Sequence, residues 1–295
     1  MFPDFLCIGA QKAGTTWLSR NLPYHPRIWT PPIKALRYFN EPSRTPLIFR
    51  AFSTHRRNER WRSLAKYRLY NLRNIHEEQH LRWFLRLFFF PRTDKWYASL
   101  FTPGPGQVAG EVTPAYARLD EAVVARIHSL MPGVKIIYLL RDPIERLWSQ
   151  AAMHFSNRGY DNLLNVPEME LQAFLNRKNA NLNSQYPEVL RRWETYFPSE
   201  QIFVGFFDKL REDPAGYLKD IYRFLGVEAE DRYIPPQVAQ KHNARTYPPI
   251  PDHLARMLAE RYYGDIESLH RRFENPYTAR WLKRARNFLY SPSRL

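Results

Sequence analysis

Three observations predict an α/β fold for this 295-residue chain, with a mostly parallel sheet of about four to five strands flanked by helices as a three-layer sandwich. Short, unbroken apolar runs that read as buried strands recur at Phe5 to Gly9, Val108 to Glu111, Lys135 to Leu140 and Gln201 to Phe206. Helical patterns lie between and after them at Asp120 to Leu130, Pro143 to Phe155, Tyr186 to Phe197 and Pro214 to Leu225. The first run also passes straight into a glycine-cornered loop and a helix start. In such sheets a ligand sits beyond the carboxyl ends of the strands, which places Gly9, Glu111 and Arg141 onward around one crevice.

The opening strand, Phe5-Leu6-Cys7-Ile8, carries the chain's one cysteine. Cys7 therefore cannot form an intrachain disulfide, and its apolar setting predicts a packed thiol and fits a reducing compartment. The loop that follows reads Gly9-Ala10-Gln11-Lys12-Ala13-Gly14-Thr15-Thr16. Its glycine spacing is that of the P-loop, G-x-x-x-x-G-K-[ST], so the fold is expected to be P-loop-like. The lysine, however, lies two residues before the second glycine, and a threonine stands where the lysine belongs. Backbone N–H groups, a helix start and two hydroxyls still suit an anion, but not a magnesium-bound triphosphate.

Between the first and second strands lies a long insert that begins Pro31-Pro32 and holds the aromatic, arginine-rich stretch Trp61 to Phe90. It is expected to form an amphipathic helical pair packed on the domain; a helix lying on a membrane surface or a polyanion is the alternative. The expected organisation is one domain over 1–275, with a basic aromatic insert at about 43–95, and a basic C-terminal tail over 276–295 whose helix end is loosely held. Farther along, the strand Lys135 to Leu140 ends in Arg141-Asp142-Pro143, where Asp142 suits a helix N-cap and Pro143 the first helical position. Arg141 is then left at the strand tip, facing the same crevice as the first loop, and Ser149 lies about two turns into the helix. An arginine and a hydroxyl together suit a terminal phosphate.

K-x-G-T-T-x-L after the first strand, with R-[DN]-P-x-x-R-x-x-S after a later one, resembles the sulfotransferases that use 3′-phosphoadenosine 5′-phosphosulfate (PAPS), in the style of the glycan, heparan-sulfate and bacterial members. The resemblance extends to His25-Pro26, Lys34 to Phe39, Trp96-Tyr97, Gly110 to Tyr116 and Gln201 to Val227, and covers about the first 230 residues without the insert. It implies that Lys12 contacts the sulfuryl group and that Ala13, Gly14, Thr15, Thr16 and Trp17 hold the 5′-phosphate. Arg141 and Ser149 would hold the 3′-phosphate, and Lys241, in a weakly matching Lys241-His242-Asn243 segment, would close over the nucleotide. A positioned lysine stabilises charge developing on the leaving phosphate oxygen, so PAPS is expected as donor, 3′-phosphoadenosine 5′-phosphate as product, and no metal.

One position departs from that pattern. Where the glycan-type enzymes carry Lys-Glu-x-x-[FY]-F, with the glutamate as base, this chain reads Lys34-Ala35-Leu36-Arg37-Tyr38-Phe39. Ala35 cannot accept a proton. Three explanations stand open: a glutamate replaced by design to trap a complex, a chain that recruits another base, or an inactive binding relative. The replacement bases are Glu111, otherwise a structural carboxylate on Lys12, Lys34 or backbone, and His154, five residues past Ser149.

The formal charge of +15 calls for an anionic partner, and it is concentrated. His55 to Arg92 carries ten Lys/Arg against three Glu, and Pro276 to Leu295 five against no acid. The expected partner is a hydroxyl-bearing acceptor, an acidic glycan or another small molecule, with no nucleic acid and no stable membrane insertion. No signal-length apolar segment or transmembrane span is visible, so a cytoplasmic protein is expected, although a luminal domain cut from its anchor would read the same. Two other functions remain in view, a P-loop kinase and a non-catalytic polyanion or membrane-surface binder.

Overall fold

The computed structural model describes residues 1–41, 43–55, 58–70, 78–240 and 247–290. In chain order the first part runs β1 (Phe5–Gly9), α1 (Thr15–Asn21), β2 (Ile28–Trp29), α2 (Leu47–Phe52), α3 (Glu59–Tyr70), α4 (Glu78–Phe89), α5 (Asp94–Ser99) and β3 (Val108–Val112). It continues with α6 (Glu121–Leu130), β4 (Lys135–Leu140), α7 (Pro143–Ser156), α8 (Glu168–Leu175), α9 (Lys178–Asn181), α10 (Tyr186–Glu194) and β5 (Ile202–Phe206). The last part is α11 (Phe207–Glu212), α12 (Pro214–Leu225), α13 (Asp252–Phe273) and α14 (Pro276–Tyr290).

The sheet is five-stranded in the order β2-β3-β1-β4-β5, and every pairing is parallel. Strand β1 is central, with Phe5 level with Gly110 of β3 on one side and Lys135 of β4 on the other. Its residues are buried on both faces, which is why the sequence shows an unbroken apolar run. Each such Leu, Ile or Phe removed from water contributes about 1.5–3 kcal/mol. Burial pushes the Cys7 thiol up to about 12, the behaviour of a packed sulfur.

Helix starts follow local chemistry. The Asp120 carboxylate accepts from Val123 N at 2.9 Å to cap α6, and Asp142 does the same for Ile144 N at the start of α7. Asp213 caps α12, whose other end is closed by Gly226 at φ +82°, a left-handed position that suits glycine. Helix α10 stops at Glu194, short of the expected Phe197. Phe197 is buried all the same, stacked on Trp193, so the apolar signal there marks packing beyond the last helical turn.

The insert packs through Leu47, Trp61, Trp83, Leu87 and Phe88, and the Trp83 indole donates to Leu100 O at 2.7 Å. The C-terminal segment differs from the loose tail expected of it. Residues 276–290 form α14 against α13, with Trp281 only 1% exposed and its indole donating to Asp208 Oδ2 at 3.0 Å. Its few apolar residues fall on one face, and that face is the buried one. Among the described residues no helix is long and apolar enough to cross a membrane.

Candidate active site

A cleft of about 1480 Å³ opens at the carboxyl ends of the strands. Lys12, Gly14, Thr15, Thr16 and Trp17 line one wall, and Arg141 and Ser149 another, so the two sequence motifs meet across one space. Ala13 is buried behind the loop and does not line it.

The loop's shape needs its second glycine. Gly14 sits at φ +92°, and a Cβ there would lie 2.6 Å from Leu210 Cδ2. Lys12 also adopts the left-handed region, at φ +74°. No side chain caps α1, so its first N–H groups are left for whatever enters the cleft.

Arg141 is fixed from several sides. Its Nη1 donates to Lys12 O at 3.2 Å and its Nη2 to the Tyr247 hydroxyl at 3.0 Å, while the guanidinium lies over the Phe207 ring at 4.7 Å. Glu145 Oε2 lies 3.4 Å from Nη2. Tyr186 anchors the backbone by donating to Arg141 O at 2.7 Å. Among the described residues Arg141 Nε is buried without a hydrogen-bond partner. The other arginine of the motif, Arg146, does not serve the cleft; it is buried on Ser184, Gln150 and Ala180 O.

Lys34 enters the site in a role the sequence reading did not give it. Its ammonium donates to Thr16 Oγ1 at 2.8 Å and Thr15 Oγ1 at 3.2 Å, beside the phosphate loop. Burial, with the like charges of Arg60, Arg20 and Lys12 adding to it, pushes its pKa down to about 8. The only sequence signal was its place beside Ala35 in the motif.

Ala35 lines the cleft at φ +63°, and Arg37 follows at φ +56°. Between them Leu36 turns inward, and its N–H donates to Glu111 Oε2 at 3.1 Å. Glu111 also accepts from Tyr97 at 2.6 Å, Tyr116 at 2.8 Å and Thr113 at 2.5 Å. Burial pushes its pKa up in spite of these four donors. Glu111 is thus a structural carboxylate that holds the Ala35 turn, and its partners are not Lys12 or Lys34. It does not line the cleft.

His154 does not line it either. At about 100° per residue it lies roughly 140° round α7 from Ser149, whereas Met153 and Asn157 stay on the cleft face. Its ring stacks on Phe174 at 4.5 Å, and burial followed by the charges of Arg158 and Arg177 holds its pKa below the usual value. Lys241 lies outside the described residues. On either side of that segment, Val238 O accepts from the Trp17 indole at 2.6 Å and Pro248 O from the Trp148 indole at 2.9 Å.

Three further guanidiniums, Arg37, Arg60 and Arg118, line the cleft beside Ala35. Arg60 comes from the insert, lies over Trp61 and donates to Lys34 O. Burial and then the charge of Arg37 hold Arg60 down at about 10, and the same two causes lower Arg118. Among the described residues none of the three forms an ion pair with a carboxylate. Sequence reading missed them because only the fold brings the insert and the turn after β3 to this wall.

The donor set suits a nucleotide carrying two separated anionic groups: a loop with lysines and hydroxyls at one end, an arginine and a serine at the other. The sulfotransferase family model matches residues 3–231. The human bifunctional heparan sulfate N-deacetylase/N-sulfotransferase 3 is 27% identical over 296 residues, covering 89% of this chain and 29% of that protein. Mouse heparan sulfate glucosamine 3-O-sulfotransferase 3B1 is 30% identical over 142 residues, covering 45% of this chain and 35% of that one. The chain therefore spans about a third of the length of these relatives. Among solved structures, a sulfotransferase from Alicyclobacillus acidocaldarius superposes with a TM-score of 0.63 at 21% identity, over 95% of this chain and 99% of that one. The sulfotransferase domain of the Synechococcus PCC 7002 olefin synthase gives 0.51 at 17% identity, over 88% and 94%. Those two likenesses speak for the fold, and the family match across most of the chain carries the assignment: this protein belongs to the sulfotransferase family.

Proposed function

We propose that this protein transfers the sulfuryl group of PAPS to a hydroxyl of an acidic glycan. The observation that carries the reading is the meeting of the Lys12 loop with Arg141 and Ser149 across one cleft. When bound, the nucleotide supplies the sulfuryl group and a phosphate leaving group. Lys12 and Lys34 put two cations beside the loop, where charge develops on a leaving oxygen, and Thr15 and Thr16 offer hydroxyls. Arg141 and Ser149 would hold the 3′-phosphate. The relatives named for heparan sulfate favour a glycan, and Arg37, Arg60 and Arg118, which form no ion pair with a carboxylate among the described residues, favour an anionic one. Neither the kinase nor the non-catalytic binder gains support from the family assignment.

Ala35 offers no acceptor, and Glu111 is saturated by four donors. A carboxylate restored at this position is worth about 10²–10⁴-fold in general base catalysis. The test is transfer of labelled sulfuryl from PAPS to a heparan-type glycan and to a neutral glycan of equal length, with the chain as it stands and with Ala35→Glu. Label is expected in the acidic glycan, with the variant faster by at least about a hundredfold. No label from either protein, or equal label in the neutral glycan, would count against the proposal.

A further inference from the structure

Arg141 does not stand alone on its wall of the cleft. Glu145 approaches its Nη2, and Asp142, the next residue, is buried at the start of α7. A carboxylate 3.4 Å from that guanidinium offsets its charge toward an anionic ligand, and Asp142 adds a second negative charge that Glu145 feels. The structure supplies the missing charge from the far end of the chain. Arg284 on α14 donates from Nη1 to Asp142 Oδ2 at 2.9 Å and to Glu145 Oε1, and it lines the same cleft.

The titration of the three partners follows this arrangement. Burial favours neutral Glu145, but the charges of Arg284 and Arg141 outweigh it and hold its pKa below the usual value. Burial pushes Asp142 up to about 6 against the opposing charge of Arg284. Arg284, at 41% side-chain exposure, is held above its usual value by the two carboxylates despite its own burial. The helix is not free to leave: Trp281 and Ala285 of α14 are buried. Arg284 also lies beyond residue 231, where the family match ends.

We propose that Arg284 is a positioning residue for nucleotide choice: by binding Asp142 and Glu145 it offsets their negative charge beside Arg141, and so sets the preference for a 3′-phosphorylated nucleotide. The inference rests on the reading of Arg141 as the 3′-phosphate arginine. A merely structural Arg284 would affect all nucleotides alike, whereas this role affects only those with the second phosphate.

Calorimetric titration of the full chain with 3′-phosphoadenosine 5′-phosphate and with adenosine 5′-phosphate tests it. Arg284→Gln is expected to lose about tenfold in affinity for the first and less than about twofold for the second. Adding Glu145→Gln removes an uncompensated charge and restores most of that loss. Glu145→Gln alone, with Arg284 in place, binds the 3′-phosphorylated nucleotide at least as tightly as the parent, a result that does not depend on the Arg284 variant folding. Equal losses for both nucleotides, no recovery in the double variant, or weaker binding by Glu145→Gln alone each overturn the proposal. A parent protein that binds both nucleotides equally overturns the reading of Arg141 itself, which is a separate result.

Discussion

Lys34 carries its ammonium where burial favours the neutral amine, two hydroxyls away from the loop backbone. The sign of its pH effect on binding follows. In the free protein the amine is protonated below about 8 and loses its charge as pH rises through that value. An anionic ligand binds the protonated form, so affinity for 3′-phosphoadenosine 5′-phosphate should fall above pH ~8, by up to about tenfold per pH unit, until the pKa of the complex is reached. Lys34→Met should bind more weakly at pH 7 and show no such fall; a parallel pH profile in parent and variant would assign the titration elsewhere. Where a motif marks single residues, as with Lys12, Arg141 and Ser149, the structure places them on the cleft wall. Arg60, Arg118 and Arg284 were not legible in the sequence, because their charges serve the cleft only after distant segments fold against it. His154 shows the opposite failure, since its chemistry suited a base but its angle round α7 turns it away from the cleft.

The strand–loop–helix unit of β1 and α1 stands or falls with Gly14. At φ +92°, with Leu210 of α11 2.6 Å from where a Cβ would be, alanine meets both a strained backbone and a clash. Gly14→Ala should destabilise the protein by about 1–3 kcal/mol and weaken nucleotide binding. Leu210→Ala added to it should relieve the clash but not the dihedral, giving partial recovery in both melting and titration. Unchanged melting and affinity in Gly14→Ala would show that the loop tolerates another shape. Elements were legible in proportion to how their burial patterned the sequence. The four strands read from apolar runs are all present because β1 and β4 have no wet face to interrupt them. Strand β2 has only two residues, Ile28 and Trp29, and no period can be seen in two. Helix α13 is 22 residues long, yet it passed unread because Leu254, Leu258, Tyr262, Ile266 and Leu269 form a narrow apolar stripe among many charges.

Across the whole molecule, the excess positive charge has a visible destination. Lys12 and Lys34 from the amino-terminal part, Arg60 from the insert, Arg118 and Arg141 from the sheet and Arg284 from α14 converge on one cleft. A cleft with more cations than carboxylates on its walls draws anionic ligands in and makes their capture sensitive to salt. The two basic stretches seen in the sequence thus each send an arginine to the site, Arg60 from one and Arg284 from the other. Arg92 of the first stretch is instead buried, donating to Glu41 O and Arg37 O, and composition alone could not separate the two uses.

If the cleft is a clamp for two separated phosphates, Arg141 holds one of them and magnesium has no part in the grip. Calorimetry against 3′-phosphoadenosine 5′-phosphate and against ATP with magnesium, for the parent and for Arg141→Ala, reads this out. The account predicts that the parent prefers the first nucleotide by at least about tenfold and that Arg141→Ala abolishes the preference. Equal binding of ATP with magnesium by the parent, or a preference that survives in Arg141→Ala, would contradict it.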